Sequence, residues 1–151
     1  MKKFKPKPGQ TDFTRIRWAP VVNCVIERKG KVLLVRRSRD LRLYPGYWNG
    51  ISGFLDDGKS LKEKVMEELR EELGLTAQDV ASIRLGPIFD QDEKKYGKTW
   101  IVHPVLVSVR TSAIRLDWEA DEYRWIGPTE ALRLRLLPGF SKVLGSFFKL
   151  R

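Results

Sequence analysis

From Trp18 onward the chain runs through two apolar stretches, APVVNCVIE (19–27) and KVLLVRR (31–37), divided by the turn signal Arg28-Lys29-Gly30. β-Branched and aliphatic residues dominate both arms, which is the pattern of a β-hairpin. A polar, arginine-rich stretch, SRDLRLYPG (38–46), leads into YWNGISGF (47–54), a short strand punctuated by Gly50 and Gly53, where backbone can approach another group closely. The period then changes. Leu61, Val65, Leu69 and Leu73 recur every fourth residue behind the capping-box pair Ser60 and Glu63, and Gly74 supplies a stop, so residues 60 to 73 are predicted to be a helix. Beyond it, ASIRLGPIFD (81–90) and TWIVHPVLVSVR (99–110) read as strands around a charged loop, DQDEKKYG (90–97), and EYRWIG (122–127) as one more strand. Two helical patterns close the chain: TEALRLRLL (129–137), capped by Thr129, and FSKVLGSFFKL (140–150), which follows Pro138-Gly139. The order β-β-β-α-β-β-β-α predicts an α/β fold, a mixed sheet with helices on both faces. Residues 1–17, rich in Lys, Pro and Gly, read as a basic N-terminal arm, and 18–151 as a single domain.

Hydrophobic residues make up 42% of the 151 and charged residues 32%, enough apolar material for one core and too much for disorder. No apolar run approaches the ~20 residues of a membrane-spanning helix, and the basic start lacks a secretory h-region, so the expected address is the cytoplasm, away from membrane. The single cysteine, Cys24, cannot form an internal disulfide or a cysteine-based zinc cluster, and its strand setting predicts a core position. His103, the only histidine, also lies in a predicted strand, where an edge or structural role is expected ahead of proton transfer. Lys and Arg number 29 against 19 Asp and Glu, a net charge of +10. That charge attracts polyanions, so nucleotides and RNA are candidate partners; a solubilising surface is the simpler account, because the charges form no single block.

The helix carries the chemistry. At ~100° per residue from Leu61, Glu68 falls near −20°, Glu72 near +20° and Glu71 near −80°, so three carboxylates share one side. Val65 and Leu69, at roughly +40° and +80°, place that side at the edge of the buried stripe, whereas Glu63, Glu67 and Arg70 lie opposite. Like charges at i,i+4 repel, and repel more strongly when partly buried. A cation must neutralise Glu68 and Glu72. Mg²⁺ or Mn²⁺, which take carboxylate, carbonyl, water and phosphate oxygens, suit that set; a lysine or arginine from elsewhere in a basic chain is the alternative.

Residues 53–75, GFLDDGKSLKEKVMEELREELGL, resemble the Nudix box, G-x5-E-x7-R-E-U-x-E-E-x-G-U with U a bulky apolar residue. Gly53, Glu68, Leu69, Glu71, Glu72, Gly74 and Leu75 fill its fixed positions, while Lys59 stands for the first Glu and Glu67 for the Arg. The hairpin ending in LLVRR, the WNGISGF approach and the downstream EADEYRWIG are also similar to Nudix domains, and the likeness spans roughly residues 18 to 140. It implies an α/β/α sandwich that hydrolyses a nucleoside diphosphate derivative, a nucleoside triphosphate or nucleotide-capped RNA with Mg²⁺ or Mn²⁺. It further implies Glu68 and Glu72 as main metal ligands, Glu71 as a second-metal ligand, the Ser52 carbonyl as a backbone ligand, and Glu68 or Glu71 as the base. A further acid is expected ahead of the late tryptophan; Glu119, six residues before Trp125, fits that place, with Glu122 in reserve.

In the family the box arginine orients the catalytic glutamates and pairs with the first Glu, so Lys59 and Glu67 permit two readings. A charge-reversed pair keeps the hydrolase intact, or a degenerate domain binds nucleotide or RNA without cleaving it. The isomerase branch acting on isopentenyl diphosphate needs a cysteine at its site, and none falls in the site region. Arg37, Tyr47, Trp48 and Asn49 are the candidate substrate contacts, with Tyr44 and Trp100 as further aromatic candidates and Arg36, Arg39 and Arg42 for phosphate. Monomer and homodimer are both compatible with the sequence.

Overall fold

The computed structural model describes residues 5–151, so Met1 to Phe4 of the expected arm lie outside the described residues. Strand β1 (Trp18–Arg28) turns at Lys29-Gly30, both at positive φ, into β2 (Lys31–Arg37), pairing Ile26 with Leu33 and Arg28 with Lys31. β3 (Trp48–Asn49) and β4 (Ile51–Phe54) split the expected short strand at Gly50. Only glycine fits at that break: a Cβ at Gly50 would collide with the Cys24 carbonyl and the Phe140 ring. β3 joins β2, and β4 turns to β1, setting Asn23 opposite Ser52 and Val22 opposite Gly53.

Helix α1 (Leu61–Leu73) forms where its caps place it. Ser60 Oγ accepts the Glu63 N–H, Glu63 returns the bond to the Ser60 N–H, and Gly74 closes the helix in the left-handed region at φ 70°. Such a cap contributes about 1 kcal/mol. Val65, Leu69 and Leu73 are buried against the sheet, each worth roughly 1.5–3 kcal/mol.

The second half corrects several expectations. β5 (Val80–Leu85) ends before Gly86-Pro87, and β6 (Phe89–Glu93) takes four residues of the predicted charged loop, DQDE, as a strand antiparallel to β7 (Lys98–Val109). Alternately exposed side chains let acidic residues sit on this ladder. β8 (Ala120–Ile126) pairs with β2. The predicted helix 129–137 is only α2 (Pro128–Ala131), with Gly127 rather than Thr129 at its N-cap because Pro128 occupies the first helical position. The last pattern contracts to α3 (Phe140–Gly145).

The main sheet path is β3-β2-β1-β7-β5, and β1 and β7 run parallel, pairing Trp18 with Thr99 through Glu27 with Ser108. Strand alternation divides the core. Val22, Cys24, Ile26, Leu33 and Val35 pack under α1, while Val25, Val32 and Leu34 face Ala131 of α2 and Phe140, Val143 and Leu144 of α3. This is the expected α/β sandwich with a mixed sheet and helices on both faces. The described part of the arm lies on it: Lys98, buried, donates its ammonium to the carbonyls of Phe13, Thr14 and Ile16, and the Phe13 ring stacks 5.8 Å from Phe54. Among the described residues no helix is long and apolar enough to cross a membrane.

Candidate active site

The acidic side of α1 faces the end of the sheet where β4, the segment before β8 and the end of β2 meet. Gly53 allows the first contact: a Cβ there would stand 2.6 Å from Glu68 Oε1. Glu68 therefore lies directly on the backbone of β4. Glu72, one turn later, lines a small cleft with Arg37, Gly50, Ile51, Ser52, Asp117 and Glu119. Its volume of about 20 Å³ suits a water or an ion and excludes a nucleobase.

Glu119 enters from the chain preceding β8, held by its carbonyl, which accepts the Ser38 N–H at 2.8 Å, and by its own N–H, which donates to Asp117 Oδ1 at 3.0 Å. It lines the same cleft as Glu72, close enough to act on that carboxyl. Two ionised carboxylates only accept hydrogen bonds, and Glu72 Oε2 is buried without a donor. Burial first, then the charges of Glu119 and Glu71, push the Glu68 carboxyl up to about 8, with Lys64 opposing. Burial, the hydrogen bond with Glu119 and the Glu68 charge raise Glu72 well above the usual carboxylate range. Asp117 is raised as well, chiefly by burial. Arg37 is the cation of this cleft; burial lowers its pKa while Glu119 and Glu72 oppose that, and its Nε donates to the Leu43 carbonyl at 3.0 Å.

Glu71 is exposed on the same side of α1. Glu122 is elsewhere, paired with Arg36 at 3.2 Å and Arg124 at 3.1 Å, so of the two late acids only Glu119 lies with the box glutamates. As the side chains stand, no three His, Cys, Asp or Glu residues among those described converge as a ready metal cage. The donor set nevertheless fits a hard cation: carboxylate oxygens crowded together, one of them buried and without a partner, beside a glycine-lined loop.

Lys59 Nζ lies 2.6 Å from Glu67 Oε2, so the two departures from the box pattern meet. Gly74 holds its place as the helix stop. Trp48 and Asn49, two of the four candidate substrate contacts, are only 6% and 1% exposed. The Trp48 ring lies beneath the guanidinium groups of Arg124 and Arg36, and Asn49 accepts from Asn23 and donates to Ser52 Oγ at 3.2 Å. They brace the site and leave no face for a base. Tyr44 and Trp100 are likewise buried, joined by an indole N–H to phenol oxygen bond of 2.9 Å. Tyr47 is half-buried under Arg135, whose Cζ stands 4.0 Å from its ring. Arg36 is taken by Asp121 at 2.7 Å, while Arg39 and Arg42 are exposed.

Cys24 is fully buried as expected, yet it sits close enough to Glu72 and Glu68 for their charges to add to burial in raising its thiol pKa. A cysteine is thus beneath the site after all, held protonated and out of reach of any ligand. His103 Nδ1 lies 3.1 Å from the Val21 and Ile101 carbonyls, a structural placement. Sequence reading missed Asp117, which carries no spacing signal, and Lys64, which did: at roughly −60° on the α1 wheel it falls between Glu68 and Glu71.

A family model of the NUDIX domain matches residues 17–147. Nucleoside triphosphatase NudI of Klebsiella pneumoniae is 37% identical over 121 residues, covering 74% of this chain and 83% of that protein. CTP pyrophosphohydrolase of Escherichia coli is 29% identical over 134 residues, covering 87% and 92%. Among solved structures, a MutT NUDIX hydrolase from Burkholderia pseudomallei superposes with a TM-score of 0.72 at 18% identity, over 87% of this chain and 99% of that one, a likeness of fold. By the family model and these relatives, the chain belongs to the Nudix hydrolase family.

Proposed function

We propose that this pyrophosphohydrolase cleaves a phosphoanhydride bond of a nucleoside triphosphate or nucleoside diphosphate derivative, with a divalent cation held by Glu68, Glu72, Glu119 and the Ser52 carbonyl. The observation that carries the reading is the crowding of Glu72, Asp117 and Glu119 around one cleft, in which the buried Glu72 Oε2 lacks any donor. Desolvated like charges are stable only with a proton or a cation between them. The activities named for the NudI and CTP pyrophosphohydrolase relatives support the substrate class.

Bound there, Mg²⁺ or Mn²⁺ would neutralise the diphosphate oxygens and acidify a water. The chain's own groups supply the rest. Arg37, facing the same cleft, donates to a phosphate oxygen and offsets the charge that arrives with substrate. Glu71, exposed beside Glu68, accepts the proton of the attacking water; the new P–O bond forms as the bridging P–O bond breaks, and the phosphate leaving group takes its electron pair. The small cleft has room for the ion and leaves phosphates at its mouth and the nucleobase outside, so base selection falls to the surrounding loops.

The test is a panel of nucleoside triphosphates and nucleoside diphosphate derivatives, each with Mg²⁺ and with Mn²⁺, read as phosphate released after a coupled phosphatase. Turnover that needs the divalent ion and falls ~10²-fold or more in Glu68→Gln supports the reading. Nucleotide binding without turnover on any substrate overturns it in favour of a binding domain.

A further inference from the structure

Lys64 is 4% exposed, an ammonium buried on the catalytic helix. Its Nζ stands 2.8 Å from Asp57 Oδ2, 3.3 Å from Asp56 Oδ1 and 3.6 Å from Glu67 Oε2. Asp56, itself buried, is held from its far side by Gln10 Nε2 at 2.7 Å, and its carbonyl accepts the Thr11 N–H. The segment from Gly53 to Ser60 is therefore fastened to α1 at three places. Glu68 packs on Gly53, Lys64 draws in Asp56 and Asp57, and Lys59 reaches Glu67. The last of these is solvent-accessible, with the lysine side chain 45% exposed, and exposed ion pairs hold geometry poorly. The middle one is buried. It also lies one turn before Glu68, at i,i+4 on the same side of the helix.

We propose that Lys64 is a positioning residue for Glu68: by clamping Asp56 and Asp57 onto α1 it fixes how the helix sits against the end of β4, where the Glu68 carboxylate lies on Gly53. The inference rests on the metal-dependent reading above. A carboxylate that must meet a cation within a few tenths of an ångström needs its neighbours fixed, and a buried ion pair with three acids does that where a mobile surface pair does not. The clamp also explains how the box tolerates Glu67. The negative charge of Glu67 beside Glu68 is balanced by Lys64 and Lys59 together.

The experiment compares the full chain with Lys64→Met and Lys64→Arg, reading Mn²⁺ affinity by electron paramagnetic resonance, kcat and KM on the best substrate of the panel, and fold by circular dichroism. Methionine keeps the volume without the charge. For Lys64→Met the expected result is Mn²⁺ binding weakened about tenfold and kcat lowered about tenfold with KM within about twofold, the range seen when a residue supporting metal ligands is lost. Lys64→Arg should return both to within about threefold, since a guanidinium can still bond two carboxylates. Parent-like Mn²⁺ binding in a folded Lys64→Met protein, or an arginine variant as impaired as the methionine one, overturns the proposal. Should Lys64→Met fail to fold, Asp57→Asn, which loosens the half-buried partner, is read the same way, and unchanged Mn²⁺ binding there overturns it equally. A parent chain that binds no Mn²⁺ overturns the metal-site reading itself and Lys64's role with it, an outcome distinct from equal binding by parent and variant.

Discussion

Gly53 and Glu68 occupy one contact: the carboxylate oxygen of the helix residue lies where a side chain on the strand residue would begin, 2.6 Å from an ideal Cβ. Glycine is required there for space rather than for φ. The obstructing atom ends a flexible side chain, so Gly53→Ala is expected to shift Glu68 without unfolding the domain, costing stability on the order of 1 kcal/mol while lowering turnover at least about tenfold. Gly58→Ala, in the loop that follows with open space around it, is the control and should leave activity unchanged. Thermal melts with kcat for both variants check this, and equal activities would place Glu68 outside the reaction.

The Lys59 and Glu67 pair can be tested by exchanging its charges, and the neighbours set the outcome. Asp57 stands 3.6 Å from Lys59 Nζ, and Lys64 Nζ 3.6 Å from Glu67. Lys59→Glu therefore meets two acids, and Glu67→Arg meets two lysines. Each single variant is expected to lose activity. The double variant restores one attraction but keeps a repulsion at either end, so recovery should be partial, a positive coupling short of parental kcat. Purely additive losses would show that the contact has no part in holding the loop.

How far the sequence could carry these assignments depended on how local the cause was. Helix α1 was legible to its last residue because Ser60, Glu63, the four-residue spacing of Leu61, Val65, Leu69 and Leu73, and Gly74 all act within the segment. Glu119 was legible through its distance from Trp125, and the structure sets it against Glu72. Asp117 was not, because it matters only through the chain's return over the end of the sheet. The acids of β6 looked like a loop since a strand with alternate residues in water tolerates charges that a periodic reading assigns to turns. Trp48 and Asn49 look like ligand contacts in a row of letters; only the closure of β3 beside β2 reveals them as buried struts.

Stability of the metal-free protein should fall with rising pH on the alkaline side of the carboxylate range. Glu68 has its folded pKa raised from 4.5 to about 8, and Glu72 is shifted the same way, so between those values the folded chain binds more protons than the unfolded one. The contribution of Glu68 is complete below about pH 4.5 and is lost as pH passes through about 8, and that of Glu72 is lost in the same direction. Asp57, Glu63 and Glu67 are lowered and act oppositely, losing their contribution as pH falls below the ordinary carboxylate values. Melting temperatures with a chelator present should decline from pH 5 to 8.5 by at least ~3 °C, and Mn²⁺ should flatten that decline. A flat profile without metal would mean that the box carboxylates are not desolvated together.

Glu119→Gln separates the needs of the fold from those of the reaction. In the metal-free protein Glu72 shares its cleft with Glu119, burial and that neighbour raise its pKa, and its Oε2 has no donor. An amide at position 119 brings an N–H toward Glu72 and removes one of the crowded charges, so the variant should melt a few degrees higher than the parent in chelator at pH 8.5, about 3 °C for a stabilisation near 1 kcal/mol. The same change deletes an oxygen ligand and lowers the charge that attracts the cation. Mn²⁺ affinity should then drop about tenfold or more and turnover by ~10²-fold, so that the variant with the higher melting temperature is the poorer enzyme. Paired melts with and without Mn²⁺ read both effects in one experiment: the parent should gain more from the ion than the variant does. A variant that melts lower in chelator and keeps parental turnover would show that Glu119 stabilises the cleft as a structural acid and takes no part in holding the ion.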